Sequence, residues 1–480
     1  MEIFRLFNLS TIGVLSLSIV FAVIVKLFHT WWRLRHIPGP FLASITNLQR
    51  MLWVTTKWSH VILQDTHEKY GEVARIGPNM ASFSNPEAIP TVYTTKPGFP
   101  KSDFYVTLRP FTRGTGALHA VFNTTDERIL RQIKTPIAPL FSVTSSNSFG
   151  PLVDEVLECM RGNLDRRFAE TGEIFNLGDW VQYFAFDVMG TLTFSKRYGF
   201  LDTGSDAKGM LSTIVEFMRT SAPMTQVPWL NYVSRKNLLA AGIRQMFHQT
   251  ASLSILSFVA EAIAEKREKL GADKAKTCMS DKKDFPTRFI ELQENSPEKI
   301  PTWAPTVWTF SNVIAGSDSV GTVMRTILFN LLSYPVTMNK LHEELRSASL
   351  PLHFPPYGTI RDLPYLDACV QEGFRLHPPF ALPLERVVPE GGITIFGTYL
   401  PGGTVVGGNP WVVNRHKATF GNDAEFWRPE RWLVHDAARR KSMKQGVLNI
   451  LIVDREKFSV ENSWFFFQTG LYAQIPRRCN

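Results

Sequence analysis

The sequence predicts a mainly α-helical fold with small β-sheets, forming one large domain behind an N-terminal transmembrane helix. Three observations lead to the domain. Apolar residues recur at helical spacing through the middle of the chain, as at Leu152, Val153, Val156, Leu157 and Met160. Strand-like runs are few, short and bounded by Gly, Pro and Asn. No linker rich in Gly, Ser or charge divides the 480 residues, and 44% hydrophobic with 20% charged residues is a globular composition.

The anchor comes first. Leu6 to Val25 is a run of 20 residues without a charge, bounded by Arg5 and Lys26. At a rise of about 1.5 Å per residue such a helix matches the roughly 30 Å hydrocarbon core of a bilayer. No small-residue cleavage site follows, so the run reads as an uncleaved anchor rather than a signal peptide. Lys26, Arg33 and Arg35 outnumber Arg5, which places the body in the cytosol by the positive-inside rule. Trp31 and Trp32 suit the interface. His36-Ile37-Pro38-Gly39-Pro40 cannot continue a helix and forms a hinge. The sequons at Asn8 and Asn123 are then unused, one against the membrane and the other in the cytosol. The chain divides into an anchor with the start of the hinge (1–35), a catalytic body (36–440) and an atypical tail (441–480).

Between Val73 and Thr95, runs broken by Gly77-Pro78-Asn79 and Asn85-Pro86 predict a small sheet. Asp126 to Gly271 is mainly helical, and the polar stretch Lys274 to Asp284 is an exposed loop. Pro305 to Leu332 is long, mostly apolar and ended by Pro335, hence a buried central helix. Residues 364–376 form a second helix. Ile393 to Tyr399 and Thr404 to Val406 flank Pro401-Gly402-Gly403 and predict a hairpin across that turn.

Two places carry chemistry. In the central helix, Ala315-Gly316-Ser317-Asp318-Ser319 puts a glycine where it costs about 1 kcal/mol against alanine, and a carboxylate where burial costs more. A flat cofactor beside the small residues accounts for both, and Asp318 with Ser319 could relay protons to bound oxygen. A helix bent by back-bonding of Ser319 is the alternative. On the shorter helix, Glu372 and Arg375 are three apart and can pair. An exposed pair of this kind is worth only tenths of a kcal/mol. Its flanks, Leu363-Pro364-Tyr365-Leu366 and Leu376-His377-Pro378, and the downstream Phe426-Trp427-Arg428-Pro429-Glu430-Arg431-Trp432 point instead to a buried network of Glu372, Arg375 and Arg431.

Composition and motifs narrow the class. A net charge of +9 suits either an anionic membrane surface or acidic partner, or simply a mixed solvated surface. No basic run interleaved with aromatics supports nucleic-acid binding. Cys159, Cys278, Cys369 and Cys479 are too few and scattered for a disulfide framework or a zinc site, which fits a reducing compartment. Neither a Gly-x-Ser-x-Gly elbow nor a Gly-rich phosphate loop occurs.

Taken together and in order, the Pro-Gly-Pro hinge, the small-small-x-acid-hydroxyl helix, the Glu-x-x-Arg helix and the Pro-Glu-Arg-Trp segment closely resemble eukaryotic cytochromes P-450 up to about Trp432. Lys101-Ser102-Asp103-Phe104-Tyr105 and Ala315 to Ser319 look further like the filamentous-fungal branch that includes pisatin-demethylase-like enzymes. The resemblance implies a microsomal haem-thiolate monooxygenase of specialised metabolism. It would carry haem b, draw electrons from NADPH through the P-450 reductase and insert one atom of O2 into a hydrophobic small molecule. It would sit single-pass in the endoplasmic reticulum membrane. It also implies that Asp318 and Ser319 deliver protons, Ser319 replacing the commoner threonine. Glu372, Arg375 and Arg431 would form the structural ion pair. Arg131, His377 and Arg386 would face the haem propionates, with Glu127 where the motif Trp-x-x-x-Arg has its tryptophan.

One departure is large. The motif Phe-x-x-Gly-x-Arg-x-Cys-x-Gly, whose thiolate holds the iron and pushes electron density toward O–O cleavage, should follow Trp432 and does not. Phe467 and Gly470 have its opening spacing and Arg477 and Cys479 its closing spacing, but Arg477 lies seven positions after Gly470 instead of two. No iron ligand is therefore identifiable beyond Cys479 as a candidate. From about Lys441 the sequence reads as foreign to the family, as translated intron or a shifted frame would. The alternative function is a catalytically inactive, truncated P-450-like membrane protein.

Overall fold

The computed structural model describes residues 2–449, apart from 95–97, 110, 113–115, 143–144, 146, 236–250, 274–283 and 352–353. Helix dominates, as predicted. The first helix, α1 (Glu2–Arg33), ends where the hinge begins. Its last carbonyls, at Thr30 and Trp31, accept from the Arg75 guanidinium at 3.2 and 3.0 Å. Its C-terminal end is thereby held to the body. The side chains described in α1 begin only at Val14. Among the described residues no helix is long and apolar enough to cross a membrane.

Four strands make the main sheet in the order β1 (Val73–Gly77), β2 (Met80–Phe83), β8 (Val405–Gly408), β5 (Arg386–Val387). β2 and β8 run parallel and the other neighbours antiparallel. Two further pairs stand apart: β3 (Phe111–Thr112) with β4 (Gly116–Ala117), and β6 (Ile393–Ile395) with β7 (Thr398–Leu400). The predicted sheet at Val73 to Thr95 is therefore right for its first half, whereas Asn85 caps a helical turn instead. The predicted hairpin is corrected. Its turn is Phe396-Gly397, both at positive φ, which suits a two-residue hairpin turn, while the strand after Pro401-Gly402-Gly403 joins the main sheet. The predicted loop at Lys274 to Asp284 lies outside the described residues except Asp284, which caps the next helix through Thr287.

The site is positioned by helices. α2 (Glu127–Lys134) starts on the Asp126 cap. α3 (Leu177–Phe194) starts on Asn176, whose side chain accepts from the Gly178 N–H. α4 (Ala304–Ser333) is the predicted central helix and stops before Pro335. α5 (Pro364–Leu376) has the predicted bounds, and its free N–H groups at Tyr365 and Leu366 donate to the Glu344 carboxylate at 2.7 and 2.8 Å. α3, α4 and α5 share one core, with Val181, Leu192, Val323, Ile327, Cys369 and Val370 all buried. Gly373 lets α5 approach α4, because a Cβ there would meet Ile327 Cδ1 at 2.9 Å.

Candidate active site

Glu372 and Arg375 are completely buried and Arg431 is 1% exposed. The Glu372 carboxylate accepts from Arg375 Nε at 2.9 Å and Nη2 at 2.8 Å, and from Arg431 Nε at 2.9 Å. It also accepts from the Arg428 N–H at 3.0 Å and from Trp432 Nε1 at 3.0 Å. The guanidinium groups spend their remaining donors on the carbonyls of Asn414, Ala424, Phe426, Phe420 and Asp423, and Arg431 also reaches the Asp423 carboxylate. Glu372, Arg375 and Arg431 are all desolvated and hydrogen-bonded, which is the condition under which a buried ion pair is tolerated, and Asp423 joins them from the partly exposed edge. The sequence placed the three charged residues together; it missed Trp432 Nε1 and Asp423, although both lie in or beside the segment that pointed to Arg431.

Asp318 lies on α4 facing α3. Its Oδ1 accepts from Gln182 Nε2 at 3.0 Å. The residue keeps an exposed side, yet desolvation between the helices raises its pKa above the ordinary carboxylate range, opposed by the Gln182 hydrogen bond and by the charge of Arg325. The Ser319 hydroxyl donates to Ala315 O at 2.7 Å and that of Ser317 to Val313 O at 3.0 Å. The back-bonding alternative is thus present, and in this rotamer the Ser319 hydrogen is engaged with its own helix. Gln182 was not legible in the sequence: a glutamine 136 positions away in a helical stretch carries no signal.

The other predicted residues fall in different surroundings. His377 is exposed just past the end of α5, edge-on to Trp411 at 6.4 Å. Partial desolvation, then the charges of Arg415, His60 and Arg325, lower its pKa. Arg325 therefore acts electrostatically on both Asp318 and His377. Arg386 belongs to a separate buried cluster: it donates to Tyr105 OH at 2.9 Å and lies 5.3 and 5.5 Å from the ring centroids of Tyr93 and Tyr105. Arg131 stands exposed in the last turn of α2.

Iron ligation by a thiolate tests the donor set. Cys369 is buried in the core and burial holds its thiol well above its ordinary pKa. Cys159, on another helix, is raised by burial as well and points its Sγ at Asp202. Neither described cysteine fits a thiolate ligand. Cys278 and Cys479, together with Phe467, Gly470 and Arg477, lie outside the described residues.

The comparisons with known proteins agree on one family. Its model, described as cytochrome P-450, matches residues 38–445. The cytochrome P-450 monooxygenase mfmA of Annulohypoxylon moriforme is 61% identical, covering 98% of each chain. A cytochrome P-450 monooxygenase of Aspergillus flavus is 45% identical over 94% of each, and pkfB of Emericella nidulans is 44% identical over 98% of this chain and 97% of its own. The alignment with mfmA runs over 503 positions, more than the 480 residues present here, so that relative has residues without a counterpart in this chain.

Proposed function

This chain belongs to the cytochrome P-450 family of monooxygenases, and from that premise we propose a membrane-anchored enzyme of fungal specialised metabolism that inserts one atom of O2 into a hydrophobic small molecule. The observation that carries the reading is the fully buried Glu372–Arg375–Arg431 network beside α4, with Asp318 in the middle of that helix. Family membership brings haem iron and a reductase as the electron source. We assign haem b, NADPH and the pisatin-demethylase-like branch on the sequence motifs above. Every relative cited is named a monooxygenase, so the inactive alternative draws no support from them.

Within this reading the chain's own residues have separable roles. Asp318 takes up and releases a proton at its carboxylate, poised by burial against its hydrogen bond to Gln182. Ser319 is its neighbour in the relay once its hydroxyl turns from Ala315 O. Arg386, rigid among aromatic rings, and Arg131 supply positive charge for the propionates, and His377, whose lowered pKa keeps it neutral, would offer a ring N–H as a donor. Glu372, Arg375 and Arg431 hold the segment after β8 against α5. Neither described cysteine would hold the iron, and of the two cysteines outside the described residues Cys479 alone has the Arg-x-Cys spacing, so it is the candidate that would supply the thiolate.

The division into anchor (1–35), body (36–440) and tail (441–480) is part of the proposal. The uncharged run Leu6 to Val25 supports a single span, and so do exposed apolar side chains on α1 such as Leu17, which is 76% exposed. The basic residues after the run put the body in the cytosol, and the endoplasmic reticulum is the membrane that the family resemblance implies. Expressing the full chain and Cys479→Ser in membranes and recording the reduced carbon-monoxide difference spectrum tests the function. A thiolate-type band lost in the variant supports it; haem bound without that band in either protein refutes the monooxygenase reading of this chain.

A further inference from the structure

Helices α3 and α4 are antiparallel and meet through reciprocal glycine pockets. A Cβ on Gly178 of α3 would lie 2.9 Å from Arg325 Nε of α4. One turn along, a Cβ on Gly321 of α4 would lie 2.8 Å from Gln182 Cδ of α3, and further on one at Gly316 would lie 3.0 Å from Met189 Sδ. Each missing side chain is matched by a long one from the other helix, so the seam is filled rather than left open. The middle pocket differs from the others in what it holds. Gln182 is only 7% exposed, and its amide nitrogen donates to Asp318 Oδ1 at 3.0 Å.

We propose that Gln182 is a positioning residue for the enzyme: seated in the space that Gly321 leaves, its amide fixes the orientation and hydrogen bonding of the Asp318 carboxylate. The geometry couples three residues on two helices. Gly321 admits the Gln182 amide, the amide reaches Asp318, and Asp318 is held by a bond that does not depend on any bound group. Arg325, one helical turn beyond Gly321, is the charged group whose field also reaches Asp318, and it lies in its own glycine pocket. A side chain at 321 would push the glutamine amide out of register, whereas a glutamine replaced by an isosteric apolar residue would keep the seam filled and lose only the bond.

The inference rests on reading Asp318 as the proton-handling group, and the test separates the two. In the full-length protein the Asp318 carboxyl is followed by infrared difference spectroscopy across pH, with Asp318→Asn identifying the band. Gln182→Leu and Gly321→Ala should each move the titration midpoint upward, since both remove a donor to the anion. The double variant should move it no further than either alone. Met189→Ala, which opens the same seam without touching Asp318, should lower thermal stability and leave the midpoint unchanged. An unshifted midpoint in Gln182→Leu, or an equal shift in Met189→Ala, overturns the proposal. If the midpoints move as stated but Asp318→Asn leaves oxygen consumption by the haem-loaded enzyme unaltered, the positioning claim stands and the proton-relay reading falls.

Discussion

Taking away the carboxylate of Glu372 would strand two buried guanidinium groups that now converge on it. Breaking a buried ion pair on one side costs about 3–5 kcal/mol, far above the tenths expected of the exposed pair that the i, i+3 spacing alone suggests. Glu372→Ala should therefore show a loss of that size in urea denaturation, and a change under about 1 kcal/mol would mean the network is not desolvated as described. Asp318 makes the opposite kind of prediction. Its pKa is raised in the folded protein, so its neutral form is favoured there. Its stabilising effect is complete below the unfolded carboxylate range and is lost as pH rises through the folded value. Asp318→Asn should remove that decline, and denaturation midpoints at a series of pH values would reveal it. The charged members of both clusters were legible because charge inside an apolar helix is conspicuous in sequence; Gln182 and Trp432 were not, because neutral donors reveal themselves only by what they touch.

At the scale of elements, the boundaries of α4 and α5 could be read from Pro335 and from Pro364 to Leu376, since proline and periodicity are local signals. The partners of β8 could not. Its pairing with β2 bridges more than 300 positions, and the nearer turn at Phe396-Gly397 lacks the usual Asn-Gly or Asp-Gly signature. Close helix contact is also invisible in sequence. Gly373→Ala should destabilise by about 1–3 kcal/mol through collision with Ile327, and Ile327→Val should recover part of it. A second element-scale prediction concerns the helix Ser59–Tyr70, which His67 ties to β2 through Ser82 Oγ at 2.9 Å. Burial lowers the His67 pKa to about 4, against a hydrogen bond to Gly71 O that raises it. A His depressed on folding contributes stability that is full above its unfolded pKa and is lost as pH falls toward 4, about 3 kcal/mol in all. His67→Gln should flatten that acid limb in pH-dependent unfolding; an unchanged limb would assign it to other groups.

For the molecule as a whole, the motif order from hinge to Pro-Glu-Arg-Trp gave the right family because each motif marks a different part of one fold, and the family match spans 38–445. The membrane reading rests on the run Leu6 to Val25, and a charge at the centre of a span costs about 2.5–3.5 kcal/mol per residue. The wild-type chain should remain with membranes through an alkaline carbonate wash, and Leu17→Arg with Phe21→Arg should be released; equal retention of both would place membrane attachment elsewhere. The thiolate was beyond sequence and geometry alike, as the two described cysteines sit in the wrong environments. The reduced carbon-monoxide difference spectrum of the membrane-expressed chain tests the central claim most directly. A monooxygenase predicts a Soret band at the position of thiolate-ligated haem, abolished by Cys479→Ser. Haem bound without that band, or no haem bound at all, would contradict it.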